Sequence, residues 1–216
     1  MSAAEELARA ARLLLPADIG CAVVPIGQGL LLPQEARVVA SAVPRRRAEF
    51  AAGRLALRRA IAASGAALAA ERPILPRPDR RPDLPPGIVV SLAHAGALCI
   101  ALASARPGRT LGVDIEPMTA RRPDGLADSI HPWRFRNAPG DALPAFCAKE
   151  ALFKRQFPVT GRMLDFSDIA LVMAGDGRFA GCVAGLGLMR GRWCEAGLYH
   201  LAISLGLWEG RGLPQN

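Results

Sequence analysis

The sequence has few features of a secreted, membrane or metal-thiolate protein. Its five cysteines form no CxxC pair, so neither a zinc site nor a disulfide framework is expected. No apolar run reaches the roughly 20 residues of a membrane-spanning helix, and the N-terminus lacks the basic-then-apolar order of a secretory signal. We therefore expect a cytoplasmic protein with reduced thiols and no membrane partner.

Lysine is also scarce, although the chain is strongly basic. Lysine and arginine number 27 against 19 acidic residues, a formal net charge of +8, yet only Lys149 and Lys154 are lysines. The arginine excess has two explanations, a GC-rich genome or anionic partners such as phosphorylated ligands, acidic proteins or nucleic acid. Against that background, two lysines five positions apart stand out.

Local patterns predict an α+β fold. Ser2 and Glu5 have the spacing of a capping box and predict a helix through Leu15. Pro44 and Gly65 mark the ends of a longer helix. The other predicted elements are a short helix after Pro33, an extended connector over 71–87, strands over 88–94, 98–104 and 110–116, a helix from Leu143 to Phe157, a strand pair turning at Asp176-Gly177, and a strand over 198–205.

The order of helix followed by strands occurs twice along the chain. This order predicts two similar lobes, each a small, mostly antiparallel sheet packed with a helix. We place residues 1–105 in the N-terminal lobe and residues 106–216 in the C-terminal lobe.

Two carboxylates alternate along the predicted strand GVDIE. Asp114 and Glu116 share one face of such a strand, while Val113 and Ile115 point to the other face. Like charges this close are unfavourable unless a cation lies between them or water surrounds them. The pattern alone fits a solvated strand end as well as a cation site.

A third carboxylate lies on an apolar stripe of the last predicted helix. Glu150 shares its helical face with Phe146, Phe153 and Phe157, which should partly desolvate the carboxylate. A desolvated carboxylate needs a metal or a cationic partner. Lys154, four residues further on, offers one such partner, so a structural Glu150–Lys154 pair is one interpretation.

A metal site is the other interpretation of these acidic residues. Asp114, Glu116 and Glu150 together would supply the oxygen ligands that suit Mg²⁺. Lys154 would then suit a phosphate group. Carboxylates beside phosphate-binding cations are typical of phosphoryl-group chemistry.

The N-terminal half contributes candidate ligand-binding residues. His94 ends a predicted strand just before a glycine-containing turn, and only three histidines occur in the chain. Arg47, Arg54 and Arg58 recur on one helical face, although such a run usually marks a solvated surface.

The motifs, in this order, resemble those of the surfactin-synthetase-type phosphopantetheinyl transferases. SLAH (91–94), GVDIE (112–116) and FCAKEALFK (146–154) carry the resemblance. Further stretches look like the branch that serves enterobactin and mycobacterial lipid synthesis: RRRAEFAAGR (45–54), PPGIVVSLAH (85–94), FKRQFPVTGRMLDF (153–166) and RGRW (190–193).

The resemblance implies a role for each motif residue. Asp114 and Glu116 would hold Mg²⁺ together with Glu150, which would also act as the base for the acceptor serine. Lys154 would bind the phosphates of coenzyme A and assist catalysis. His94 would contact the 3′-phosphate of coenzyme A.

Three arginines are implied as further contacts to coenzyme A. The family pattern places them at Arg46, Arg54 and Arg77. Only Arg54 also belongs to the helical face described above.

The implied reaction transfers 4′-phosphopantetheine from coenzyme A to a serine of an acidic acyl or peptidyl carrier protein. Such carriers serve fatty acid, polyketide or nonribosomal peptide biosynthesis. The active site would lie in the cleft between a coenzyme A-binding N-terminal lobe and a catalytic C-terminal lobe. Mg²⁺ is the expected cofactor, with Mn²⁺ as the alternative ion, and we expect a monomer.

Two departures from the family pattern leave a second interpretation open. Ala93 replaces the usual serine or threonine, and the segment 117–149, which normally helps form the carrier-docking surface, is short. A catalytically impaired homologue that binds coenzyme A would tolerate both changes. A basic nucleic-acid-binding protein would explain the arginines but not the carboxylate–lysine set. A thiol enzyme built on Cys147 lacks a histidine placed to activate it.

Overall fold

The chain folds into two compact units, Met1–Pro107 and Gly108–Asn216. The computed structural model describes residues 1–136 and 140–208. The fold is α+β, as predicted. The first unit contains α1 (Ala3–Leu14), β1 (Gly20–Pro25), α2 (Pro33–Val38), α3 (Pro44–Ala63), β2 (Val89–Ala95) and β3 (Leu98–Ser104). The second contains β4 (Arg109–Pro117), α4 (Leu126–Ser129), β5 (Trp133–Phe135), α5 (Ala142–Thr160), β6 (Ile169–Met173), β7 (Arg178–Val183), β8 (Gly187–Ala196) and β9 (Tyr199–Leu207).

In the first unit, α3 packs against a three-stranded antiparallel sheet with the strand order β1-β3-β2. Leu57 and Ile61 of α3 are fully buried, and the helix begins at Pro44 as predicted. A Cβ atom on Gly20 of β1 would overlap the Ala60 carbonyl oxygen. Helix and strand therefore touch through their backbones at this point.

Buried charges anchor the connector to this unit. Ile74 is fully buried; its N–H donates to Glu35 Oε1 over 2.8 Å, and its carbonyl oxygen accepts from Arg54 Nε over 2.6 Å. Arg58 Nη2 lies 2.7 Å from the same Glu35 oxygen. The predicted connector, 71–87, contains turns and one isolated bridge. The interpretation of the arginine face as solvated is wrong for Arg54 and Arg58, because both face this buried network.

In the second unit, α5 packs against β4 and β9 of a six-stranded sheet with the order β4-β9-β8-β7-β6-β5. All neighbouring strands are antiparallel except β5 and β6. Ala148, Ala151 and Leu152 of α5 lie in the core of this unit. Within the two described stretches, no helix is long and apolar enough to cross a membrane.

The two units repeat one arrangement of strands. In each, a first strand pairs with the second strand of a hairpin: β1 with β3 of the β2–β3 hairpin, and β4 with β9 of the β8–β9 hairpin. Each unit also packs one long helix against its sheet. The prediction of two similar, mostly antiparallel lobes is confirmed.

Most local predictions are confirmed, and three strands were missed. The capping box of α1 is present, because Glu5 N donates to Ser2 Oγ and Ser2 N donates to Glu5 Oε2. The strand pair β6–β7 turns at Asp176-Gly177. Strands β1, β5 and β8 were not predicted, because their sequences are short or rich in glycine and arginine.

Candidate active site

A glycine on β4 sets the distance between β4 and α5. A Cβ atom on Gly112 would overlap the Ala151 carbonyl oxygen and would lie 2.8 Å from the Arg155 backbone nitrogen. The two backbones are thus in direct contact. Val113 and Ile115 are buried on the opposite face of the strand, as the strand alternation predicts. Asp114, two residues beyond Gly112, therefore faces α5.

Lys154 of α5 pairs with Asp114 and not with Glu150. Its Nζ lies 2.6 Å from Asp114 Oδ1, whereas no ion pair joins it to Glu150 within the described residues. Position explains the choice, because the close contact at Gly112 brings Asp114 within hydrogen-bond distance of Lys154. The interpretation of Glu150 as the structural partner of Lys154 is wrong.

The second oxygen of Asp114 is buried. Among the residues that the structure describes, no group donates a hydrogen bond of normal geometry to Asp114 Oδ2. Burial raises the pKa of Asp114, and Lys154 offsets only part of that effect. The Cys147 thiol lies beside Asp114 and donates to the His200 carbonyl oxygen over 3.7 Å. A buried acceptor of this kind is costly unless a cation or a donor satisfies it.

Two further carboxylates belong to the same charge cluster. The pKa of Glu116 is raised to about 7, mainly by burial and further by the negative charges of Asp114 and Glu150. The positive charge of Lys154 acts in the opposite direction. Burial and the charge of Asp114 likewise raise the pKa of Glu150. The structure therefore concentrates three carboxylates near a single lysine.

The cluster has the chemistry of a divalent-cation site but not a preformed coordination sphere. Across residues 1–136 and 140–208, no group of three His, Cys, Asp or Glu side chains is arranged to hold a metal ion. The unsatisfied Asp114 Oδ2 and the excess negative charge nevertheless fit a hard cation. The metal-ligand roles of Asp114, Glu116 and Glu150 stay predictions.

Lys149 has a different environment from Lys154. It is fully buried, and its Nζ donates to the Phe166 carbonyl oxygen over 2.7 Å. Burial lowers its pKa to about 8. Lys149 therefore anchors the segment after α5 and leaves Lys154 as the lysine of the carboxylate cluster.

In the first unit, two of the predicted coenzyme A contacts come together. Arg46 Nη1, in the first turn of α3, lies 3.3 Å from Nε2 of His94 near the end of β2. Glu49 accepts from Arg46 over 3.5 Å and from Arg45 over 3.1 Å. Glu49 was not predicted from the sequence, although it lies one helical turn from both arginines.

The other two predicted contacts lie elsewhere in that unit. Arg54 is 5% exposed, with its guanidinium 3.9 Å above the Phe50 ring. Arg77 is on the exposed connector, where Nε lies 3.1 Å from Asp83 Oδ1. The binding roles of Arg46, Arg54, Arg77 and His94 stay predictions.

Comparison with known proteins settles the family. Residues 34–104 match the family model described as the 4′-phosphopantetheinyl transferase N-terminal domain. Over 198 residues, 81% of this chain and 86% of the other, the chain is 34% identical to the 4′-phosphopantetheinyl transferase PptT of Mycobacterium tuberculosis. The chain belongs to the 4′-phosphopantetheinyl transferase family. The transferase is also 35% identical over 199 residues to Svp of Streptomyces mobaraensis, covering 82% of this chain and 79% of that protein.

A third relative matches a shorter part of the transferase. Over 146 residues, 63% of each chain, it is 35% identical to the 4′-phosphopantetheinyl transferase Npt of Nocardia iowensis. The resemblance inferred from the motifs is therefore confirmed at the level of the family and of the enzyme class.

We expect the Asp114–Lys154 pair to stabilise the second unit. Asp114→Asn leaves Lys154 without its counter-charge, which should lower the free energy of unfolding by about 1–3 kcal/mol. The loss should be smaller than for a fully buried pair, because the Lys154 side chain is 28% exposed. Adding Lys154→Met should restore part of the loss, with a coupling energy of about 1 kcal/mol or more. Urea unfolding in a metal chelator measures Asp114→Asn, Lys154→Met alone and the double variant.

The exposed pair Arg178–Asp176, with side chains 72% and 47% exposed, provides a matched control. Its single and double variants should show additive effects. Additive losses at Asp114 and Lys154 would mean that their contact contributes nothing to stability.

Proposed function

We propose that the transferase moves the 4′-phosphopantetheine group of coenzyme A onto a serine of an acyl or peptidyl carrier protein and requires Mg²⁺. The part-buried Asp114–Lys154 pair, with Glu116 and Glu150 beside it, carries this proposal. A cluster that combines excess carboxylates with a lysine suits both a divalent cation and a phosphate.

Asp114, Glu116 and Glu150 are the residues that would hold the metal. The buried Asp114 Oδ2 supports this assignment, because a cation would satisfy an oxygen to which no described residue donates a hydrogen bond of normal geometry. When bound, Mg²⁺ would neutralise charge on the diphosphate of coenzyme A. Lys154 would hold a phosphate oxygen close to the reacting phosphorus and would stabilise the departing group.

The chemistry is a substitution at phosphorus. The serine Oγ forms a bond to the β-phosphorus, and the bond from that phosphorus to the oxygen shared with the α-phosphate breaks. Adenosine 3′,5′-bisphosphate leaves. Glu150 accepts the serine proton, either directly or through a water molecule. The negative charge of the leaving group favours Lys154 as its partner.

Cations of the first unit would bind the nucleotide end of coenzyme A. Arg46 and His94 already lie 3.3 Å apart and suit the 3′-phosphate. Arg54 is nearly buried, yet within the described chain no carboxylate lies within 4.0 Å of it, and burial lowers its pKa to about 10. A phosphate oxygen would supply the missing negative charge. Arg77 would contribute a weaker contact from the connector.

The carrier protein is the second substrate in this proposal. A formal charge of +8 favours encounter with an acidic partner. The segment 117–149 would contribute to docking, although residues 137–139 of it lie outside the described residues. A cytoplasmic location, a monomeric state and an active site between the lobes stay predictions.

Glu150→Gln should nearly abolish transfer without unfolding the protein. Loss of the proton acceptor alone should lower kcat by about 10²–10⁴-fold. The melting temperature should be equal or higher, because an amide is easier to bury than an uncompensated carboxylate. The rise in melting temperature on adding Mg²⁺ should shrink. Turnover and thermal melts with and without Mg²⁺ test both halves of this prediction.

Glu195→Gln is the matched control, since Glu195 has a half-exposed side chain on β8. It should retain activity and its Mg²⁺ response. An active Glu150→Gln variant would remove Glu150 from the catalytic assignment.

His94→Ala and Arg46→Ala should each weaken coenzyme A binding by about 1–3 kcal/mol, the cost of losing a charge-assisted hydrogen bond. Calorimetry with coenzyme A and with 3′-dephospho-coenzyme A measures the effect. Both variants should bind the dephosphorylated ligand as the wild type does, because the lost contact is to the 3′-phosphate.

Arg45→Ala removes a neighbouring charge that also pairs with Glu49, and it should leave binding unchanged. Equal coenzyme A affinities in the wild type and in both the His94 and Arg46 variants would exclude these residues from the site.

A further inference from the structure

Arg155 is a half-buried arginine that contacts three parts of the second sheet. Its Nε donates to Thr110 Oγ1 of β4 over 3.1 Å, and its Nη1 donates to Ser204 Oγ of β9 over 3.1 Å. The same Nη1 lies 3.5 Å from the Arg190 carbonyl oxygen of β8. A Cβ atom on Gly206 would overlap the guanidinium, so this glycine makes room for Arg155.

Every acceptor around Arg155 is neutral. Within the described part of the chain, no carboxylate lies within 4.0 Å of its guanidinium, and burial lowers its pKa to about 10 without a compensating charge. A desolvated cation with neutral partners only is a poor way to gain stability. The contacts of Arg155 therefore require another explanation.

The explanation lies in how α5 runs along β4. Cys147 lies beside Asp114, the Ala151 carbonyl touches Gly112, and Arg155 binds Thr110. The contacts recur every four residues on the helix, about 6 Å, and every two residues on the strand, about 6.6 Å.

The near-equal repeats keep helix and strand aligned over three contacts. Of these three contacts, only that of Arg155 is a hydrogen bond from a long helix side chain to the strand. The other two involve the small residues Cys147 and Ala151.

We propose that Arg155 is a positioning residue, which holds α5 in the register that presents Glu150 and Lys154 to Asp114. Glu150 immediately precedes Ala151, which makes the central contact, and Lys154 immediately precedes Arg155. A shift or rotation of α5 at Thr110 would displace both. The proposal rests on the proposed function only in its catalytic readout.

Arg155→Met tests this role, because methionine fills similar space without charge or N–H donors. We expect kcat to fall about 10–100-fold, as for a displacement of about 1 Å at a reacting group. The melting temperature in chelator should stay equal or rise. The Mg²⁺-induced rise in melting temperature should shrink. The KM for coenzyme A should rise by a smaller factor than kcat falls, because the proposed contacts of Arg46, Arg54 and His94 are unchanged.

Arg190→Met is the matched control. It removes an exposed arginine of the same sheet and keeps the backbone oxygen that Arg155 contacts, so it should match the wild type in all four measurements. Arg155→Lys keeps the positive charge but cannot hydrogen-bond Thr110 and Ser204 at the same time. It should therefore also have a lower kcat at an unchanged melting temperature. This variant carries the test if Arg155→Met does not fold.

A lowered melting temperature with normal kcat and a normal Mg²⁺ response would make Arg155 a packing residue and overturn the proposal. Absence of transfer by the wild type to every carrier tested would instead overturn the proposed function. In that case, the Mg²⁺-induced rise in melting temperature would still show whether Arg155→Met differs from the wild type.

Discussion

The backbone contact between Gly112 of β4 and Ala151 of α5 is the constraint on which the candidate site depends. A larger residue at position 112 would force the helix away from the strand. Because the helix lies this close, Lys154 reaches Asp114 across 2.6 Å, and Glu150 shares the same charge cluster. The first unit has a similar contact between Gly20 and Ala60. There, however, the residue two beyond the glycine is Ala22, and no carboxylate cluster results.

Charge imbalance is the second feature that connects structure to function. The second unit concentrates negative charge around Lys154, and the buried Asp114 Oδ2 has no hydrogen-bond donor within 1–136 and 140–208. The first unit contains the opposite imbalance, because Glu35 pairs with Arg58 and acts on the buried Arg54 only through its charge at a distance. Unsatisfied charges of this kind weaken a protein unless a ligand compensates them. A cation in one unit and phosphate groups in the other are the compensations that the proposed function would supply.

The sequence predicted the helices, most strands and the candidate residues, because local signals specify them. Capping at Ser2, proline at the start of α3 and alternation in GVDIE each act over a few residues. Pairings between distant residues were not predictable. Local spacing favoured Glu150 as the partner of Lys154, but the contact at Gly112 supplies Asp114 instead. Glu35 was likewise missed, since its partners Arg58 and Ile74 lie 23 and 39 positions away.

Intact-mass measurement on a panel of apo carrier proteins tests the central claim most directly. After incubation with the transferase, coenzyme A and Mg²⁺, at least one carrier should gain a single phosphopantetheine group, and peptide mapping should locate it on a serine. One equivalent of adenosine 3′,5′-bisphosphate should appear, and a metal chelator should stop the reaction. Carriers that all remain unmodified while coenzyme A binds normally would contradict the proposed reaction.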